Sequence, residues 1–267
     1  MATTVKKMTT TAMTSSSFLD RPIPGLNITT AIALWLVVTT VFPVYYRATQ
    51  TMQTTRMTWL GISLLGFNNL NILIAVCEIG LGKYITNIQD HYRHLQKTYK
   101  QEDRWQAAIS YLTLPLSLRT LFDLSVWCQM WSTYSLWDPS YSNRESFGFF
   151  IDVGNGYSTI LPCILWDFVI LFPNSLFQND NRNNRPYTVL VGMIGACMYW
   201  QVLYGTIIYF LSFVFNKRYV GKPVVEISAF VGFTNGIWFV FPILGLYASY
   251  QLLVQGNGDA VINIFGV

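Results

Sequence analysis

Long apolar runs, separated by polar stretches, dominate the hydropathy pattern of the 267-residue chain. A helix needs about 20 mostly apolar residues to cross a bilayer, and five runs come close to or exceed that length. They cover residues 29–46, 57–81, 147–172, 187–215 and 223–254. The runs lack the alternation of polar and apolar residues that marks membrane-spanning strands. The pattern therefore predicts an all-α, polytopic membrane protein built as a five-transmembrane-helix bundle.

A longer polar stretch separates the second run from the third. In residues 84–106, apolar or aromatic residues at positions 85, 88, 92, 95 and 99 recur at helical spacing, which predicts an amphipathic helix outside the bilayer core. Residues 107–137 are mixed and fit an interfacial or re-entrant helix. A sixth span there would bury Arg119 and Asp123, which is costly in lipid. We therefore predict that residues 84–137 form an extramembrane or interfacial helical insertion.

The remaining segments complete the predicted domain organisation. Residues 1–26 are rich in Thr and Ser and are expected to form a disordered N-terminal tail. Residues 27–255 form the transmembrane domain, which contains the insertion, and residues 256–267 a C-terminal tail. Residues 174–186 are expected to be a polar loop.

Composition supports a membrane location and suggests an orientation. Only 11% of the residues are charged and 52% are hydrophobic, whereas soluble domains carry about 25% charged residues. Of the 17 Lys and Arg residues, thirteen fall on one side of a five-span layout, which places the N-terminus in the cytoplasm by the positive-inside rule. The expected location is a multi-pass membrane protein, in the endoplasmic reticulum if the organism is eukaryotic.

Ionisable side chains inside apolar runs are candidate functional residues because they are costly in lipid. Glu78 and Asp152 could line one cavity, and the alternative is structural pairing with a buried amide. Asp167 and Glu226 lie nearer the ends of their runs, where they could simply reach the interface. Four acids therefore qualify, and the first two are the candidate catalytic pair.

Carboxamide and indole side chains accompany these acids. Asn71 lies seven residues before Glu78 on one helix face, and Asn235 lies three residues before Trp238 on another. A carboxyl, a carboxamide and an indole could hold a cationic ligand or a carbocation, because the indole face attracts positive charge. The alternative for Trp238 is packing or an interfacial belt, as for most membrane tryptophans.

Several motifs of other enzyme classes are absent from the sequence. It contains no HEXXH, GxSxG or P-loop motif, and its Cys and His residues do not cluster as metal ligands. His91 and His94 lie in the charged amphipathic stretch, where a solvated face is the simpler interpretation. We therefore predict no metal, no cofactor and no nucleic-acid partner.

Three stretches resemble a known family. Their matching residues are Trp131, Tyr134, Asp138 and Tyr141, then Tyr204-Gly205 and Tyr209-Phe210, then Asn235, Trp238 and Pro242. In these positions the chain is similar to the emopamil-binding-protein (EXPERA) group of membrane proteins, which includes sterol Δ8–Δ7 isomerase. The resemblance covers roughly residues 65–255, and it implies the same five-span layout.

The resemblance also implies a chemistry. Trp238 would steady a carbocation, with Asn235 as its polar neighbour, while Glu78 and Asp152 would be catalytic. Further ligand-binding residues would be Tyr134, Tyr204 and Asn71. The implied activity is proton-initiated double-bond isomerisation or cyclisation of a sterol or terpenoid. The implied partners are this hydrophobic ligand and the lipid bilayer, and a homodimer is left open.

Two positions depart from the family pattern. Where the isomerase has a His one turn before its second-span Glu, this chain has Ile74, and Thr206 replaces the Asp after the fourth-span Tyr-Gly. A non-catalytic sterol or lipid binder of the same fold is therefore the alternative. An unrelated transporter or scaffold is a third hypothesis, which broken or repeated helices would indicate.

Overall fold

The structure is a computed structural model that describes residues 17–50, 57–172 and 185–266. Two predictions fall largely outside these ranges. They are the first sixteen residues of the N-terminal tail and residues 174–184 of the polar loop.

Five helices are long and apolar enough to cross a membrane, and we call them the first to fifth spans. Their bounds are Ile28–Thr49, Trp59–Lys83, Phe147–Leu171, Arg185–Phe215 and Val224–Gln255. Each begins and ends within a few residues of a run predicted from the sequence. The fold is therefore an all-α, five-helix membrane bundle, as predicted.

Two spans contain π-helical turns. The first span runs from Ile28–Leu36 through a π turn at Val37–Val41 into Phe42–Gln50. The fifth runs from Val224–Glu226 through a π turn at Ile227–Phe233 into Thr234–Gln255. A π turn shifts the register of the residues that follow it and is frequent at functional sites.

Side-chain caps mark where three spans begin. Asn27 accepts a hydrogen bond from the Thr30 amide at 2.9 Å, and the Thr30 hydroxyl accepts one from the Asn27 amide at 2.8 Å. Thr58 caps the second span through the Gly61 amide and Ser146 caps the third. These side chains satisfy backbone N–H groups that have no partner inside the helix.

Neighbouring spans pack antiparallel. A Cβ on Gly156 of the third span would lie 2.8 Å from the Ala75 carbonyl oxygen of the second. Further along, a Cβ on Gly82 of the second span would meet Val153 of the third at 3.2 Å. Residue numbers therefore increase along one helix as they decrease along the other. The glycine contacts between the third and fourth spans, and between the fourth and fifth, show the same antiparallel order. The start of the first, third and fifth spans therefore lies on one face, together with the ends of the second and fourth.

Lipid-facing surface is concentrated on the outer spans. In the most apolar windows, 50% of the second span is buried but only 11% of the first and of the fifth. Exposed Val38, Phe42 and Tyr250 illustrate the apolar surface that results. A bilayer must cover this surface because contiguous apolar patches of this size are unstable in water.

Short helices connect the second span to the third, and we call residues 84–146 the interfacial segment. The α-helices are Ile85–Thr98, Arg104–Leu112, Leu118–Leu121, Leu124–Trp127 and Gln129–Tyr134, with 3₁₀ turns at Gln101–Asp103 and Pro139–Ser142. None of these helices is long enough to span a bilayer.

The prediction of a disordered tail is wrong for residues 18–26. Phe18–Asp20 forms a 3₁₀ turn, and Pro22–Asn27 forms strand β1. Strand β1 pairs antiparallel with β2, Pro115–Ser117 in the interfacial segment. This pairing orders the chain because it satisfies backbone groups that a Thr/Ser-rich tail would leave to water.

The C-terminal residues also form an element that the sequence analysis treated as a tail. Residues Gly258–Phe265 form a helix capped by Asn257. The Thr58 amide donates to the Phe265 carbonyl oxygen at 2.8 Å, and the Thr58 hydroxyl to that of Ile264 at 2.6 Å. Phe265 is fully buried against Trp166. This helix therefore closes the bundle on the face opposite the interfacial segment.

Candidate functional site

A cavity of about 410 Å³ lies between the spans and the interfacial segment. All five spans contribute to its lining, from Ile32 of the first to Trp238 of the fifth, and the interfacial segment covers it. The volume is within the usual range for small-ligand sites, about 300–1,000 Å³.

Aromatic side chains make up much of the lining. They are Tyr111, Trp127, Trp131, Tyr134, Trp137, Tyr141, Tyr209, Phe230, Phe233 and Trp238. A rigid apolar wall of this kind favours a hydrophobic ligand, and the few polar groups in it would set the ligand's orientation.

The two predicted catalytic acids both line this cavity. Glu78 is buried, and its Oε2 has no hydrogen-bond partner among the described residues. The Tyr141 phenol interacts electrostatically with the Asp152 carboxylate, and so do the two acids with each other. An unpaired buried carboxyl oxygen facing an apolar cavity is the arrangement that a proton donor to a ligand needs.

Gly156 explains how these acids come together. It lies one turn after Asp152, and a Cβ there would lie 2.9 Å from the Cβ of Glu78 and 2.8 Å from the Ile79 amide nitrogen. Only a residue without a side chain permits this approach. The second and third spans therefore meet most closely beside the two acids.

The Trp238 indole is held in a fixed orientation. Its Nε1 donates to the Asn71 Oδ1 at 2.9 Å, and the Asn71 Nδ2 donates to the Thr159 hydroxyl at 3.1 Å. Phe67 packs edge-on against the indole, with ring centroids 6.4 Å apart. The ring is therefore positioned by polar and aromatic contacts before any ligand enters.

A chain of hydrogen bonds leads from the cavity to the interfacial side. The Asn235 Nδ2 donates to the Tyr134 hydroxyl at 2.7 Å, which lies 3.2 Å from the Tyr209 hydroxyl. Tyr209 donates to Asp138 at 2.8 Å, and Arg218 binds both Asp138 oxygens at 2.8 and 2.9 Å. The Asn235 amide and the two tyrosine hydroxyls can each donate to the next group in the chain, which ends at the Asp138 carboxylate. The chain therefore fixes the position of Asn235.

Two phenols of the interfacial segment that line the cavity, Tyr134 and Tyr141, remain protonated at neutral pH. Burial raises the pKa of the Tyr134 hydroxyl. Burial also raises the pKa of Tyr141 well above its usual range, and the neighbouring Asp152 raises it further. Both hydroxyls therefore carry a proton that is available for donation to a hydrogen-bond acceptor.

Two predicted ligand-binding residues lie outside the cavity lining. Tyr204 is 48% exposed on the outer surface of the fourth span, where its ring tilts against Trp200, and Gly205 lines the cavity in its place. One residue along a helix turns the side chain by about 100°. Asn71 is buried behind Trp238, so it positions the indole. Tyr134, Asn235 and Trp238 do line the cavity.

The other two membrane acids have structural partners. Asp167 accepts a hydrogen bond from the Asn68 Nδ2 at 2.9 Å, and Asn68 in turn accepts one from Tyr199. Glu226 accepts one from the Trp137 Nε1 at 2.7 Å. Neither acid lines the cavity.

Most of the residues that cover the cavity were not predicted from the sequence. Tyr111, Trp127 and Met130 lie in the part of the interfacial segment, residues 84–130, for which the family resemblance gave no counterpart. Trp137 lies within the resembling stretch 131–141 but is not one of its matching residues. The one feature of the sequence that pointed to these residues was the high density of Trp and Tyr in the interfacial segment. A location at the membrane interface explains that density equally well.

Comparisons with protein-family models, with curated proteins and with solved structures find no match.

Proposed function

We propose that the chain is an emopamil-binding-like membrane enzyme that moves a double bond in, or cyclises, a sterol or terpenoid. The observation that carries this proposal is the meeting of Glu78, Asp152 and Trp238 around one apolar cavity. Two carboxyls can give and take a proton, and an indole face stabilises the cation formed between these steps.

The proposed isomerisation transfers one proton in each direction. The Glu78 carboxyl adds its proton to one alkene carbon, which leaves a carbocation on the other. The Asp152 carboxylate then removes a proton from an adjacent carbon, so the double bond moves and the composition of the lipid is unchanged. The proton returns from Asp152 to Glu78 before the next cycle.

Glu78→Gln tests this assignment. The amide cannot donate a proton to an alkene, so we expect turnover to fall by about two to four orders of magnitude, the usual contribution of a general acid. In a strain that lacks the gene, a sterol or terpenoid precursor should accumulate. The wild-type gene should clear it and Glu78→Gln should not, as measured by mass spectrometry of extracted lipids.

Glu102→Gln is the matched control, because Glu102 is exposed in the interfacial segment and lies outside the cavity lining. It should clear the precursor like the wild type. A Glu78→Gln protein that reaches wild-type abundance and clears the precursor at full rate would remove the catalytic assignment.

A non-catalytic sterol or lipid binder is the second candidate. Ile74 and Thr206 line the cavity where the resembling isomerase carries ionisable residues, and the Thr206 hydroxyl is satisfied by the Val202 carbonyl oxygen at 2.9 Å. This candidate predicts saturable binding of an amphiphilic amine, no accumulated precursor in the deletion strain, and equal lipid profiles for wild type and Glu78→Gln.

A further inference from the structure

A second cavity, of about 290 Å³, lies beside the interfacial segment. Three basic side chains line it, Lys100, Arg104 and Lys222, together with the polar side chains of Tyr92, Gln96 and Tyr99. Among the residues that the structure describes, no carboxylate lines it. We call this cavity the basic pocket.

Arg104 is the first sign that the basic pocket is short of negative charge. The residue is 7% exposed, and its one ion-pair contact, from Nη1 to the Glu226 Oε2, spans 3.6 Å. That distance is too long for a hydrogen bond. Within the described part of the chain its guanidinium makes no hydrogen bond, although it carries five N–H donors. A buried guanidinium in this state is costly unless an anion completes its shell.

Lys222 is the second sign. Burial lowers the pKa of its ammonium; Asp138 raises it, while the nearby Arg104 and Arg218 lower it further. The Asp138 carboxylate already binds Arg218 through both oxygens. The Lys222 Nζ donates to the Arg218 backbone oxygen, so it has no carboxylate of its own.

Apart from Glu226, which contacts Arg104 at 3.6 Å, nearby acids do not neutralise the basic pocket. Glu102 and Asp103 follow Lys100 in the chain, but neither lines the cavity, and the Asp103 Oδ1 accepts from Gln106 at 3.3 Å. The cations therefore face one another across open space, where like charges repel unless an anion lies between them.

The basic pocket also lies at the level of the membrane boundary. Lys222 precedes the first residue of the fifth span, Val224, by two positions. It lies on the face where most Lys and Arg residues fall. Trp137, which lines the larger cavity, bonds Glu226, the partner of Arg104, so the two cavities are adjacent.

We propose that the basic pocket binds a phosphate group, either a phosphate monoester or a diphosphate. The three cations match the several charged oxygens of such a group. The same chemistry could come from the headgroup of an anionic membrane lipid or from a soluble phosphate. The site is distinct from the larger cavity and does not depend on the reaction proposed there.

Lys100→Gln combined with Lys222→Gln tests the proposal without leaving Glu226 unpaired. The control combines Arg93→Gln with Lys97→Gln, which also removes two positive charges from exposed positions nearby that do not line the basic pocket. The full-length protein in detergent is titrated with inorganic phosphate and with pyrophosphate by calorimetry. In parallel, phosphatidylcholine nanodiscs with and without phosphatidic acid are used, and bound phosphatidic acid is counted by native mass spectrometry.

We expect saturable binding in at least one arm, weakened about tenfold or more by the pocket variant and within about twofold of wild type for the control. Binding in the calorimetric arm alone assigns a soluble phosphate, and binding of phosphatidic acid assigns a lipid headgroup. The proposal is overturned if neither arm shows saturable binding, or if both variants weaken binding equally, which would indicate only a diffuse positive surface.

Discussion

At the scale of single residues, the hydrogen bond from Trp238 to Asn71 decides what the candidate indole can do. The sequence placed Asn71 with Glu78 and Trp238 with Asn235, each pair on its own helix. The structure instead joins Asn71 to Trp238 across 167 positions of the chain. Asn71 therefore acts on a ligand through Trp238.

Asn71→Leu tests this positioning role. Leucine has a similar size but leaves the Trp238 Nε1 and the Thr159 hydroxyl without this partner, so we expect the free energy of unfolding to fall by about 1–3 kcal/mol. We also expect the dissociation constant of an amphiphilic amine to rise about tenfold, because the indole loses its fixed orientation. Thermal unfolding and equilibrium binding in detergent measure the two effects.

Asn69→Leu is the control for that experiment. Asn69 is also buried in the second span, and its Nδ2 donates to the Thr39 and Leu65 carbonyl oxygens, away from the cavity. The Asn69→Leu variant should lower the free energy of unfolding by a similar amount. It should leave the dissociation constant of the amphiphilic amine unchanged. Equal weakening of binding in both variants would contradict a specific role for Asn71.

At the scale of elements, the approach of the second and third spans is controlled by small residues. Gly156 lies against the backbone of the second span beside Glu78, and a Cβ on Gly205 of the fourth span would lie 2.9 Å from the Ile151 Cγ2 of the third. Helices pack this closely in lipid only where small residues allow it. The acids belong to one cavity because of this packing.

Gly156→Ala should separate the two spans. Its Cβ would lie within 2.9 Å of two backbone atoms and of the Glu78 Cβ, and overpacking of this kind costs about 1–3 kcal/mol. We expect a lower unfolding temperature and lower activity, because Glu78 and Asp152 move apart. Thermal unfolding in detergent and clearance of the accumulated precursor measure both.

Gly154→Ala is the control on the same helix, because a Cβ there meets nothing within 4 Å. Alanine is the better helix former by about 1 kcal/mol, so this variant should be at least as stable as wild type. If both alanine variants behaved alike, close approach at Gly156 would not be what holds the spans together.

At the scale of the whole molecule, two coverings complete the bundle. The interfacial segment closes the cavity on one face, and the C-terminal helix closes the opposite face. Neither covering contains a helix long enough to span a bilayer. Both nevertheless bury large side chains, such as Trp137 and Phe265, completely.

Phe265→Ala tests the C-terminal covering. The side chain is fully buried against Trp166, so we expect a loss of about 3–5 kcal/mol in the free energy of unfolding. Phe239→Ala is the control, because Phe239 is 42% exposed on the fifth span and should cost much less. Denaturation in mixed micelles measures the difference, and equal losses would contradict a packed C-terminal helix.

The sequence by itself determined the five spans, because the length and apolarity of a spanning helix are local properties that lipid imposes on consecutive residues. It also singled out Glu78 and Asp152 as candidates, since acids in such helices are costly. Asn235 and Trp238 became candidates through their spacing and the family resemblance, and all four line the cavity. Only the tertiary structure decided which helix face meets which neighbour. It turned Tyr204 outward, placed Asn71 behind Trp238, and closed the cavity with residues from the interfacial segment. Those outcomes depend on contacts between residues 50 or more positions apart, which no local pattern encodes.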